Sequence, residues 1–304
     1  MYISLNELGV QKVKKLISIV LVITILLLAS GLYLCFAGYK TYRDVSYLDA
    51  ESCNMNVYVP YGADRDTPQG VILFIHGGSW SGGDKWEEAI RCRLLANRGY
   101  ITATMNYTLR TEDIADEYNV FTVLDEIDAA LQKLKDFLAD LGITVDKAAL
   151  SGYSAGAHLA MLYSYSRHNT SPLDIAFTCS LAGPSDIREE IWGDTARYIG
   201  SILTGVEITE EMLDSGEADA LLESISPAAY ISPDSPPTIV VQGGRDNVVP
   251  KANAQSLIDL FTENNVPYDY VYMKRSDHSL IQNPFGHVSY FMLYLKYSRT
   301  YFGY

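Results

Sequence analysis

The chain is expected to fold as an α/β domain: a mainly parallel central sheet with helices on both faces and a small helical cap insertion, preceded by one transmembrane helix. Three observations carry this expectation. Apolar runs rich in β-branched residues alternate with longer segments of helical periodicity, which is the rhythm of strands joined by crossover helices. The run Val71 to Ile75 is apolar at every position, as a strand buried on both faces is. Leu16 to Gly38 holds 23 residues without a charge, and a helix of that length exceeds a hydrocarbon core of about 30 Å.

Taken in order, Lys12, Lys14 and Lys15 precede the uncharged span and Lys40 and Arg43 follow it. That bias places residues 1–15 in the cytoplasm, residues 16–38 across the membrane as a signal anchor, and residues 39–304 outside as one folded domain. A cleaved signal peptide is the alternative, with small residues near Cys35-Phe36-Ala37, although its apolar region is long for that role. Leu32-Tyr33-Leu34-Cys35 lacks the small residue of a lipoprotein signal. The strand Val71 to Ile75 runs into His76-Gly77-Gly78-Ser79-Trp80, with Gly82-Gly83 close behind. Tyr100 to Thr104 is the next strand. Val120, Leu124, Ile127, Leu131, Leu134, Leu138 and Leu141 then recur at steps of three and four, the core stripe of one helix. Asp125, Glu126, Asp128, Lys133, Lys135 and Asp136 form its solvated face.

Ala148 to Leu150 leads into Gly152-Tyr153-Ser154-Ala155-Gly156 and a further helix. A serine on a sharp strand-to-helix turn is held in a strained backbone, and glycines two residues either side remove side chains that would collide there. The Ala155 amide and the first helical turn then point toward negative charge that develops beside Ser154. After Ile175 to Leu181 the rhythm breaks between Asp186 and Tyr230, with short helical pieces near Thr195 to Leu203 and Thr209 to Leu222. Thr238 to Val241, a helix carrying Ala254, Leu257, Ile258 and Phe261, and the alternating Tyr268 to Met273 resume it. In the last helix Tyr290, Tyr294, Tyr297, Tyr301 and Tyr304 recur at helical spacing, as in a helix packed on the sheet with wet phenol tips.

These motifs together resemble the α/β-hydrolases of the esterase/lipase group that carry an H-G-G oxyanion loop. The chain is most similar to the feruloyl-esterase-like and hormone-sensitive-lipase-like carboxylesterases. The likeness runs from about Asn56 to Tyr304, and Asn106-Tyr107-Thr108-Leu109 matches an N-Y-R-L segment with threonine for arginine. The resemblance implies that the amides of Gly78 and Ser79 join Ala155 in an oxyanion hole. It implies that Asp246, in Gly243-Gly244-Arg245-Asp246-Asn247-Val248-Val249-Pro250, is the acid of a triad ordered Ser, Asp, His. Of five histidines, His76 lies in the oxyanion loop, His158 in the elbow helix, and His168 ahead of the acid. The base is therefore His278 or His287. His278 is favoured because it ends a strand-to-loop transition, whereas His287 opens the last helix. The insertion is implied to cap the acyl site, with Trp192, Tyr198, Ile199 and Leu203 as candidate walls or as local packing.

The activity expected is hydrolysis of a carboxylic ester through an acyl-enzyme on Ser154, with no metal or organic cofactor and with a small acyl ester as substrate. An arylformamidase-like or prolyl-peptidase-like amide hydrolase is the alternative; a non-catalytic binding domain is a third reading, against which the full set of Ser, Asp and His argues. Beyond residue 39 the chain has 20 basic and 36 acidic residues, a net charge of −16. That excludes nucleic acid and adhesion to anionic headgroups as partners. Cys53, Cys92 and Cys179 show neither paired nor metal-ligand spacing.

Overall fold

The order of apolar runs along the chain becomes a single eight-stranded sheet in the order β1-β2-β4-β3-β5-β6-β7-β8. The strands are β1 (Tyr39–Ser46), β2 (Asn54–Pro60), β3 (Gln69–Ile75), β4 (Ile101–Met105), β5 (Val145–Tyr153), β6 (Asp174–Leu181), β7 (Thr238–Gly243) and β8 (Tyr268–Met273). β2 pairs antiparallel with β1 and β4, and every other pairing is parallel. The computed structural model describes residues 14, 16–24, 38–112 and 118–303.

Register decides where the loops emerge. Ile75 pairs with Gly152, Tyr153 with Leu181, Leu181 with Val241, and Gly243 with Met273. The carboxyl ends of β3, β5, β6, β7 and β8 are thus level. The loops that follow them, carrying His76, Ser154, Ala182, Asp246 and His278, share one edge of the sheet, where ligands of open α/β sheets bind.

Both faces are covered, as the fully apolar β3 requires. Val71, Leu73 and Ile75 face a core shared with the helix Val120–Asp140 and the elbow helix Ala155–Arg167, while Ile72 and Phe74 face one shared with Ala89–Ala96 and Pro284–Phe302. Leu124, Ile127, Leu131, Leu134 and Leu138 of the long helix are at most 1% exposed, each burial worth about 1.5–3 kcal/mol before ordering costs. Asn119 caps that helix by accepting a hydrogen bond from the Phe121 amide. One residue assigned to its wet face is not wet: Glu126 is 8% exposed and accepts a 2.8 Å hydrogen bond from the Thr108 amide. It ties the helix to the loop after β4, an interaction that periodicity alone does not reveal.

Three tyrosines of the last helix also differ from the expectation of wet tips, while Tyr301 is partly exposed and Tyr304 lies outside the described residues. Tyr290, Tyr294 and Tyr297 are buried, the Tyr294 hydroxyl meets Ser151 Oγ beneath the sheet, and Tyr297 reaches the Thr238 carbonyl. The insertion after β6 forms four short helices, Glu189–Trp192, Thr195–Thr204, Glu210–Ser215 and Asp219–Ser224. It is pinned at its base, where the Ser185 and Asp186 amides donate to Asn253 Oδ1 and the Ile187 amide donates to Ser226 Oγ.

Residues 16–24 are helical and most of the uncharged span beyond them lies outside the described residues. Among the described residues no helix is long and apolar enough to cross a membrane.

Candidate active site

Ser154 sits at φ 54°, ψ −120°, between β5 and the elbow helix, a backbone conformation that costs a non-glycine residue about 1–3 kcal/mol. The two glycines of the pentapeptide make the turn possible by close approach. A Cβ on Gly152 would collide with the Gly156 carbonyl, and one on Gly156 with the carbonyls of Ile75 and His76. The Ser154 amide is spent on the Leu181 carbonyl at 2.9 Å, which anchors the turn to β6. The Ala155 amide opens the helix with no carbonyl behind it.

His278 Nε2 lies 2.9 Å from Ser154 Oγ, and its Nδ1 lies 2.9 Å from Asp246 Oδ2. Asp246 Oδ1 accepts from the Val248 and Val249 amides, both at 2.9 Å, and Gln242 Nε2 donates to Oδ2 at 3.0 Å. Burial works to raise the Asp246 carboxyl, but the bonds from His278 and the two amides outweigh it and hold the group below the usual carboxylate range. Asp246 therefore stays ionised and fixes Nδ1 as the protonated nitrogen, leaving Nε2 free to accept the serine proton. Tyr153 braces His278: its hydroxyl donates to the His278 carbonyl at 3.0 Å. His287 stands apart, its Nε2 on the Leu280 carbonyl at 3.0 Å and its Nδ1 facing the Tyr290 hydroxyl. It clips the loop bearing His278 to the last helix.

The loop expected to form the oxyanion hole follows β3 with three successive residues at positive φ, Gly78 at 116°, Ser79 at 53° and Trp80 at 59°. Among the described residues no hydrogen bond takes up the Gly78 or Ser79 amide. Neighbouring amides left open beside a strained serine suit a developing oxyanion. The loop is held from two sides. His76 is buried, donates Nδ1–H to the Gly77 carbonyl at 2.7 Å and stacks on Tyr107 at 4.5 Å, while the Tyr107 hydroxyl donates to the His76 carbonyl. Trp80 Nε1 donates to His158 Nδ1 at 3.3 Å, so His158 carries its proton on Nε2 and donates to the Ile225 carbonyl at 2.8 Å. Burial lowers the His158 pKa to about 4, which keeps the ring neutral and Nδ1 able to accept.

A cavity of about 210 Å³ opens beside the serine, lined by Ser79, Trp80, Ser154 and Ala155 on one side and by Trp192, Tyr198, Ile199 and Ile202 of the cap on the other. Leu203, an expected wall residue, is fully buried in the core instead, and Ile202 takes its place. The helix Thr195–Thr204 turns that way because Leu203 packs inward. Sequence reasoning also passed over Gln242, Tyr153 and the pair Trp80–His158. Their neighbours in the chain are the motif residues themselves, but a side chain's partner across the sheet edge has no signature in spacing.

The BD-FAE family model matches residues 55–261 of the chain. Among curated proteins, the chain is 24% identical over 236 residues to the probable carboxylic ester hydrolase LipM of Mycobacterium tuberculosis (strain ATCC 25618 / H37Rv), covering 74% of this chain and 52% of that one. It is 25% identical over 136 residues to a kynurenine formamidase of Salmo salar, covering 44% of this chain and 42% of the relative. The chain thus spans about half the length of these relatives. Among solved structures, a truncated carbohydrate esterase from gut microbiota superposes with a TM-score of 0.71 at 16% identity, over 86% of this chain and 97% of that one. Esterase B of Lactobacillus rhamnosis gives 0.69 at 20% identity, over 87% of both. These likenesses identify the α/β-hydrolase fold.

Proposed function

The chain belongs to the BD-FAE family, and from that premise we propose that it is a serine hydrolase of carboxylic esters acting through Ser154, His278 and Asp246. His278 Nε2 takes the Ser154 proton as Oγ attacks the acyl carbonyl, and the Gly78, Ser79 and Ala155 amides hold the negative oxygen. Collapse breaks the ester bond, the imidazolium protonates the departing alkoxide, and the acyl group stays on Oγ. Water then attacks with the same histidine as base, releasing the acid and restoring the serine. Asp246 holds the tautomer and balances the cation.

The hydrogen-bonded chain from Ser154 through His278 to Asp246, both links at 2.9 Å, is the observation that carries this reading. The ester-hydrolase relatives support it. Ser154→Ala is expected to abolish turnover of 4-nitrophenyl esters and labelling by a fluorophosphonate while leaving the thermal midpoint within a few degrees of the parent. Asp246→Asn and His278→Ala should lower kcat by about 10³-fold or more, and His287→Ala by less than about tenfold. A Ser154→Ala protein that still labels would refute the assignment. The formamidase relatives favour a second reading, attack on an activated amide, which an arylformamide assayed beside the esters decides.

The uncharged span Leu16 to Gly38 and the three lysines before it support a single membrane helix with residues 39–304 as an extracytoplasmic domain. A secreted form released by cleavage is the alternative.

A further inference from the structure

Among the described residues, the cavity beside Ser154 is lined by one charged side chain, Arg110, with hydroxyls and apolar side chains around it. Arg110 is partly buried, and its Nε is sealed from solvent with no hydrogen-bond partner among the described residues. Among the described residues no salt bridge engages it. The nearby Tyr118 phenol does not neutralise it, because burial pushes that phenol's pKa far up and keeps it protonated. The position is nonetheless held, since the Arg110 amide donates to the Trp80 carbonyl at 2.8 Å and so fixes the residue to the oxyanion loop.

A guanidinium turned into a partly apolar cavity loses hydration, and a structure keeps such a group where an anion meets it. Its planar fork suits a carboxylate in particular, through two parallel hydrogen bonds. With a net charge of −14, the molecule as a whole does not draw anions in. Selection for one must then come from short-range contact within the cavity.

We propose that Arg110 is a carboxylate-binding subsite, and that the substrate is an ester bearing a free carboxylate a few carbons from the scissile bond. This rests on the ester-hydrolase reading of Ser154. The volume of about 210 Å³ and the wall of Trp192, Tyr198, Ile199 and Ile202 suit a short hydrocarbon spacer between the two groups.

The test compares kcat/KM for charged and neutral esters in two arms. In one the carboxylate is on the acyl side, mono-4-nitrophenyl adipate against methyl 4-nitrophenyl adipate. In the other it is on the leaving group, 4-acetoxybenzoate against methyl 4-acetoxybenzoate. In at least one arm the charged-to-neutral ratio should fall about 10- to 100-fold in Arg110→Gln and recover in part in Arg110→Lys. An equal loss on both members of each pair would mean a structural role and would overturn the proposal. Binding gives a readout independent of turnover: adipate should perturb the fluorescence of Trp80 and Trp192 in Ser154→Ala protein but not in Ser154→Ala/Arg110→Gln. Arg110-dependent adipate binding in a protein that hydrolyses none of the esters would sink the esterase reading and keep the subsite. Ester turnover with an unchanged ratio would do the reverse.

Discussion

One neutral histidine, His158, joins three parts of the site: it accepts from Trp80 in the oxyanion loop, stands on the elbow helix and donates to the Ile225 carbonyl at the base of the cap. Protonation would turn Nδ1 into a second donor facing the indole N–H, so the bond from Trp80 exists only while the ring is neutral. With a folded pKa near 4 against 6.5 unfolded, the unfolded chain takes up a proton first as pH falls. The stability tied to the neutral ring is therefore complete above pH 6.5 and is lost progressively between about pH 6.5 and 4, up to about 3 kcal/mol. His76, whose pKa burial also lowers, adds a loss of the same sign. Asp246, held below 3.8, adds its own only below that pH. Urea unfolding at pH 7 and pH 5 should show a smaller difference in His158→Gln than in the parent. Equal differences would mean that His158 titrates normally.

At the scale of elements, the elbow and β3 are packed backbone to backbone. Gly156→Ala should lower the thermal midpoint by about 3–10 °C, as overpacking of about 1–3 kcal/mol does in a domain of this size, and should weaken catalysis with it. Gly62→Ala, where a Cβ meets nothing within 4 Å, should change the midpoint by less than about 1 °C. If the two substitutions behave alike in differential scanning calorimetry, the elbow is looser than described. The same element explains what could be read from the sequence. Strand-turn-helix order, Gly152 and Gly156, and the apolar run of β3 all report local sterics and period, and they were readable. Glu126, at a position spaced for solvent, bonds the Thr108 amide instead, and Leu203 packs inward where Ile202 meets the cavity. Both depend on which neighbouring element lies overhead, and that information is tertiary. Arg110 escaped notice because it sits two residues past the position where the resembling segment has its arginine.

Over the whole molecule, the level carboxyl ends of the parallel strands gather Ser154, Asp246 and His278 at one edge, in a chain of net charge −14. If the uncharged N-terminal span crosses a bilayer with the lysines inside, protease added to intact cells or right-side-out vesicles should remove the catalytic domain. Digestion only after lysis would reverse the orientation, and a mature N-terminus near Gly38 would identify a cleaved signal. The strand order also sets a schedule for biosynthesis. Ser154 leaves β5 in mid-chain, whereas Asp246 follows β7 and His278 follows β8, and the loop bearing His278 is fastened through Leu280 to His287 in the closing helix. If Ser154 and His278 are the nucleophile and base proposed above, a growing chain carries the first long before the second, and the pair cannot meet until β8 docks. On that reading, covalent labelling of Ser154 reports molecules in which β8 and the loop after it are already in place.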